Sequence, residues 1–170
     1  QLQDLRTKLT SATAKADVYQ QNIVDFTAAR DFAVQAAQEM VSSAGFKLTA
    51  KRELVSGYEA KELQARLNYE RQSALFEKGI KAEKEVEYFK KDWDVARAEL
   101  DAARREVSAA ENELTAKEHE LEQKRREAQT KVDYARAMLA DAEGLAATTN
   151  KEIRDIEIKL SELDRLVITA

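Results

Sequence analysis

There is no proline anywhere in these 170 residues. Proline is the strongest interruption a helix can meet, because it removes a backbone donor and its ring clashes with the preceding turn. A chain without it can carry helices of any length. Charged residues make up 35% of the sequence, with both signs interspersed, and aromatic residues only 6%. That balance is poor in the large apolar surface a globular core needs, and it points to long helices or coiled coil.

The second half carries the clearer pattern. Val86, Trp93, Leu100, Val107, Leu114, Leu121, Ala128, Ala135 and Ala142 recur at heptad spacing, and Phe89, Ala96, Ala103 and Ala110 follow three later. This is the alternating three-and-four spacing of a coiled-coil seam. Lys117, Lys124 and Lys131 then take the second seam position, where their stems are expected to lie along the seam with the ammonium groups in water. Near Gly144 the pattern slips and resumes as Leu139, Ala146, Ile153, Leu160 with Ala142, Thr149, Ile156, Leu163, an offset resembling a stutter. Acid-then-base pairs at i,i+4, such as Glu87–Lys91, Glu113–Lys117 and Asp155–Lys159, would each add about 0.3 kcal/mol to a solvated helix.

The first half begins by the same rule, with Leu5, Leu9, Ala12, Ala16, Tyr19, Ile23 and Phe26, then Ala33, Ala37, Met40 and Ala44. Phe26, Phe32 and Val34 point in different directions on one helix, as a broad core face or a neighbouring protomer would require. The phase is lost over residues 42–59, where Gly45 and Gly57 each disfavour helix by about 1 kcal/mol. A kink or short non-helical break near Gly45 is therefore expected, with recovery at Leu63, Leu67 and Ala74.

Between the halves stands LFEKGIKAEKEVEYF, residues 75–89. Gly79 suits the position just past a helix end, where the left-handed conformation carries no Cβ penalty. Lys78 would face the negative end of one helix dipole and Glu83 and Glu85 the positive end of the next. The expected fold is all-α, a long antiparallel two-helix coiled-coil hairpin: helix 1 over about 2–76, a tip over about 77–82 and helix 2 over about 83–167. At the α-helical rise such a rod is on the order of 110–125 Å long. The second arm outruns the first, so helix 1 is expected to continue upstream, and both ends read as cuts through a larger protein.

The formal net charge of −4, with both signs mixed, argues against a nucleic-acid partner held by phosphate neutralisation. With no cysteine and a single histidine, His119, on the outward face of the heptads, no metal-ligand set is expected. Neither a phosphate-binding glycine loop nor a signal peptide or apolar run long enough to span a membrane is present. Trp93 at a seam position reads as packing. No catalysis and no cofactor are expected.

Residues 71–87, RQSALFEKGIKAEKEVE, resemble the hairpin tip of membrane fusion proteins, the periplasmic adaptors of the hemolysin D type, which commonly read R-x-x-x-L-x-x-x-x-x-x-S. Arg71 and Leu75 match the arginine and leucine, and Glu77-Lys78-Gly79 matches a frequent E-K-G. Ala82 stands where the family has Ser or Thr, and Lys81 replaces the apolar residue usually before it. The ending LSELDRLVITA, residues 160–170, is similar to the family's return from the hairpin into a lipoyl-like domain, whose strands fall outside residues 1–170. The resemblance implies a hairpin joining an inner-membrane transporter to an outer-membrane channel of the TolC type in secretion or efflux. It also implies a periplasmic location with the parent protein anchored at the inner membrane, and several protomers standing side by side. Partner contact would fall to the tip positions Arg71, Leu75, Gly79 and Ala82, of which Ala82 lacks the family's hydroxyl. The competing reading is a cytosolic coiled-coil spacer arm, as in an SMC-like ATPase or a tRNA synthetase.

Overall fold

The computed structural model describes residues 1–168, with side-chain burial followed as far as Arg165. The chain forms two α-helices, α1 (Leu2–Glu77) and α2 (Glu83–Ile168), which pack against each other as an all-α helical hairpin. No strand occurs among the described residues. Thr169 and Ala170 lie outside them, and with them the expected change from helix to strand. The hairpin divides into two compact units, Gln1–Gln35 with Gln123–Ala170, and Ala36–Glu122.

In the Ala36–Glu122 unit the two buried stripes are regular. Along α2 the stripe turned away from solvent runs through Val86, Phe89, Trp93, Ala96, Leu100, Ala103, Val107, Ala110, Leu114, Lys117 and Leu121, with Glu99 and Glu111 half-buried at its sides. This is the expected seam, and its small alanines allow the helix backbones to approach closely. Along α1 the stripe runs through Val41, Ala44, Leu48, Lys51, Val55, Tyr58, Glu62, Ala65 and Tyr69. Gly45 and Gly57 therefore do not break the helix, contrary to the expectation for residues 42–59. The seam continues past them, with Leu48 buried and only 6% exposed. The residues assigned to the recovery, Leu63 and Leu67, are instead exposed, as is Met40. The stripe passes beside them through polar residues whose heads are satisfied. Lys51 pairs with Glu106, and Glu62 accepts a hydrogen bond from the Trp93 indole N–H at 2.6 Å.

In the other unit α1 buries Leu5, Leu9, Ala12, Ala16, Tyr19, Ile23, Phe26, Arg30 and Ala33 wholly or in part. Phe32 does not join them and is 77% exposed. Along α2 the stripe is Ala128, Val132, Ala135, Leu139, Ala142, Ala146, Thr149, Ile153 and Ile156. As far as Leu114 and Lys117, the second stripe residue follows the first by three. From Ala128 and Val132 onward it follows by four. The register shift thus lies between Leu121 and Val132, not near Gly144. Lys124 and Lys131 are exposed, and Val132 takes the seam place with 0% exposure. A straight α-helix drifts by about 20° per heptad against a strict seven-residue repeat. After several heptads the drift carries the seam from one side chain to the next, and exchanging a lysine for a valine there avoids burying a charge.

Several ion pairs run across the hairpin rather than along α2. Glu113 reaches across to Lys47 at 2.6 Å, while Lys117 turns to Glu120. On one flank Lys47 and Lys61 meet Glu113 and Glu99. On the other Arg52 meets Glu111 and Glu59 meets Arg104. Each exposed pair stabilises little alone, but the second flank fixes register. Sliding α2 by one heptad brings Arg52 opposite Arg104 in one direction, and Glu59 opposite Glu111 in the other. Hydrogen bonding to its carboxylate partner raises the pKa of Lys61, through Glu99, and of Lys117, through Glu120, above the ordinary lysine value.

Candidate functional site

The tip is built by the last turn of α1. The Ile80 N–H donates to the Leu75 carbonyl at 3.0 Å and the Gly79 N–H to the Phe76 carbonyl at 2.8 Å. These two bonds define a Schellman cap, with Gly79 in the left-handed position. Its φ of 70° is one that a side chain would strain. The chain re-enters helix at Glu83 with Ala82 as the capping residue, whose carbonyl accepts from the Glu85 N–H at 3.0 Å. Having no side-chain oxygen, Ala82 leaves a first-turn donor of α2 without the usual cap. Glu83 and Glu85 compensate in charge at the positive helix end, and Glu85 holds Lys81 at 3.0 Å.

The four positions singled out in the sequence do not converge on one spot. Arg71 is exposed on the outer side of α1, one turn before the half-buried Leu75. Gly79 and Ala82 sit at the two ends of the turn. What gathers around them is apolar: Phe76, Ile80 and Tyr88 are all exposed, Ile80 by 65% and Tyr88 by 63%. Tyr88 and Phe89 pack edge to face with centroids 5.7 Å apart. Beside them a cleft of about 520 Å³ is lined by Gln72, Lys81, Ala82, Lys84, Tyr88 and Phe89, among others. The Gln72 Oε1 is buried and accepts no hydrogen bond. Ile80 could have been singled out from the sequence, since an apolar residue after the capping glycine belongs to the Schellman pattern. Tyr88 and Gln72 carry no such signal.

Away from the tip, Trp93 stacks on Tyr69 at 5.4 Å between ring centroids. His119 is exposed. Among the described residues no group of three or more His, Cys, Asp or Glu side chains is placed to hold a metal ion. Nor is any helix long and apolar enough to cross a membrane. The tip thus offers shape, apolar surface and a few polar atoms. Comparison with known proteins adds nothing to this: no family model, no curated protein and no solved structure matches the chain.

Proposed function

We propose that this hairpin is the spacer and docking module of a periplasmic adaptor, linking an inner-membrane transporter to an outer-membrane channel of the TolC type. The observation that carries the reading is the tip sequence: Arg71 and Leu75 stand one helical turn apart at the end of α1, immediately before the E-K-G turn at Gly79. In this reading Arg71 makes polar contacts with the periplasmic end of the channel and Leu75 packs against it. Ala82 contributes no hydroxyl, so the exposed Phe76, Ile80 and Tyr88 take a larger share of the docking surface. The module performs no catalysis and carries no cofactor. Its helices set a distance, and its tip selects the partner.

The test uses the parent protein with Arg71→Ala and Leu75→Ala combined, measured by crosslinking to the channel and by transport. Arg71 is exposed and Leu75 only half-buried, so circular dichroism should show the hairpin still helical. Crosslinking and transport should both fall. A folded double variant that crosslinks and transports like the unaltered protein would overturn tip docking.

A further inference from the structure

Phe32 is 77% exposed, although it stands in a helix that turns Phe26 and Ala33 away from solvent. It belongs to a stripe on the outer side of α1. Ala14, Val18, Gln21, Asp25, Ala28 and Phe32 succeed one another by alternating steps of four and three, and all six are exposed. That spacing is a coiled-coil seam, and nothing in the hairpin covers it. Asp25 accepts a hydrogen bond from Gln21 at 2.9 Å and has no cation beside it. Asp17, Val24 and Asp31 run along one flank of the stripe at heptad spacing.

The same unit has a groove on another side, where α1 meets α2. It is made of two clefts that share Phe26 and Lys131. One, of about 520 Å³, is walled by Tyr19, Asn22, Thr130 and Tyr134. The other, of about 400 Å³, is floored by Ala29, Ala33 and Ala128 and edged by Lys124. The α1 lining, Tyr19, Asn22, Phe26, Ala29 and Ala33, again alternates by three and four, so the groove presents holes at the spacing of a helix's knobs. Arg30 on its rim is held by Asp31 and Gln129, and Glu127 accepts from Gln123. Lys124 and Lys131 make no ion pair or hydrogen bond among the described residues. The groove is thus an apolar channel with two free cations on its α2 wall.

We infer that the stripe of one copy lies in the groove of another, with the two α1 helices parallel and unshifted along their length. Stripe and groove then match in height, size and charge. Phe26 and Lys131 line both clefts and so mark one height, at which Asp25 of the other copy brings the carboxylate that Lys131 lacks. One heptad toward the tip, Phe32 falls over the small alanines of the second cleft. One heptad back, Val18 falls beside Tyr19. The right-handed winding of α1 turns the flank with Asp17 and Asp31 toward the α2 wall that carries the lysines. A copy reversed about the same centre would instead crowd Phe32 against Tyr19 and Tyr134 and leave the alanines to Val18.

Because stripe and groove are different surfaces, the contact is heterologous and passes from copy to copy. All copies run in the same direction, as the adaptor reading also requires. The inference uses no tip residue, and its failure would leave tip docking standing. The stripe is about 27 Å long at the α-helical rise. A strip of that length one helix wide falls short of a standard interface, so association is weak and concentration-dependent.

Sedimentation equilibrium of the whole chain tests this, with circular dichroism as the check on folding. The apparent mass should rise above monomer with concentration. Phe32→Ala, at an exposed site, should weaken association about tenfold or more. Asp25→Lys and Lys131→Glu should each weaken it, and the two combined should restore it. Direction is read from a spin label at Gln3→Cys, which the absence of native cysteine makes site-specific. Labels on adjacent parallel copies should lie within roughly 35 Å of each other, whereas copies reversed about Phe26 would hold them about 70 Å apart. A monomer at every concentration, association untouched by Phe32→Ala, no recovery in the charge-swapped double variant, or labels beyond reach in the associated state would each overturn the proposal.

Discussion

Two of the regions where this hairpin carries glycine in otherwise helical sequence behave oppositely. Over residues 42–59, with Gly45 and Gly57, α1 continues without a break; at residues 77–83, with Gly79, the chain reverses. Glycine alone does not decide the outcome. In the first region a buried stripe of Ala44, Leu48, Val55 and Tyr58 continues across it, and burial of that stripe outweighs a helix penalty of about 1 kcal/mol per glycine. At the tip a glycine in the left-handed conformation coincides with two capping hydrogen bonds and with acids ready to open the next helix.

The largest way to break this comparison is to remove what holds the first region. Leu48 is 6% exposed, and Leu48→Ala should cost about 2–3 kcal/mol in urea denaturation, at the low end for buried leucine because a two-helix seam relaxes easily. A cost near zero would mean that the seam does not carry residues 42–59. Next comes a matched pair. Gly79→Ala should destabilise by roughly 1–2 kcal/mol, because the backbone sits at φ 70°. Gly45→Ala, where a Cβ meets nothing within 4 Å, should stabilise by about 0.5–1 kcal/mol. Thermal melts of both should move in opposite directions; a common direction would erase the distinction drawn between the two glycines.

The smallest effect concerns the flank of the same region. Lys61 is held above the ordinary lysine pKa, chiefly by its hydrogen bond to Glu99. A pKa raised on folding contributes stability that is complete below the unfolded value and is lost as pH rises through the folded one. The difference between the unaltered chain and Lys61→Met should therefore hold steady from about pH 7 to pH 10 and shrink above it. A difference that grows above that point would contradict the pairing.

The α2 seam from Val86 to Leu121 and the turn at Gly79 were legible in the sequence, because apolar heptads and a glycine between opposite charges both act locally. The course of α1 from residue 42 to residue 69 was not. Its stripe there uses Lys51 and Glu62, polar residues made acceptable only by partners on α2, while the more apolar Leu63 and Leu67 lie next to it and face outward. The shift to Val132 was missed for a related reason. Lysines at Lys124 and Lys131 fit an ideal heptad count, and the accumulated drift of a real helix moves the seam one residue on. At the tip, Arg71 and Leu75 came from a resemblance, and the apolar surface of Ile80 and Tyr88 emerged only once the turn was built.

Everything rests on the chain folding back at Gly79. Spin labels at Ser42→Cys and Glu118→Cys, in chains diluted with unlabelled protein, test this most directly, since both sites are exposed and lie in the same unit. Helices packed 8–10 Å apart place the labels within roughly 35 Å of each other once their linkers are added. A helix running straight through Gly79 would hold them about 114 Å apart, beyond the reach of the dipolar signal, and that result would contradict the hairpin.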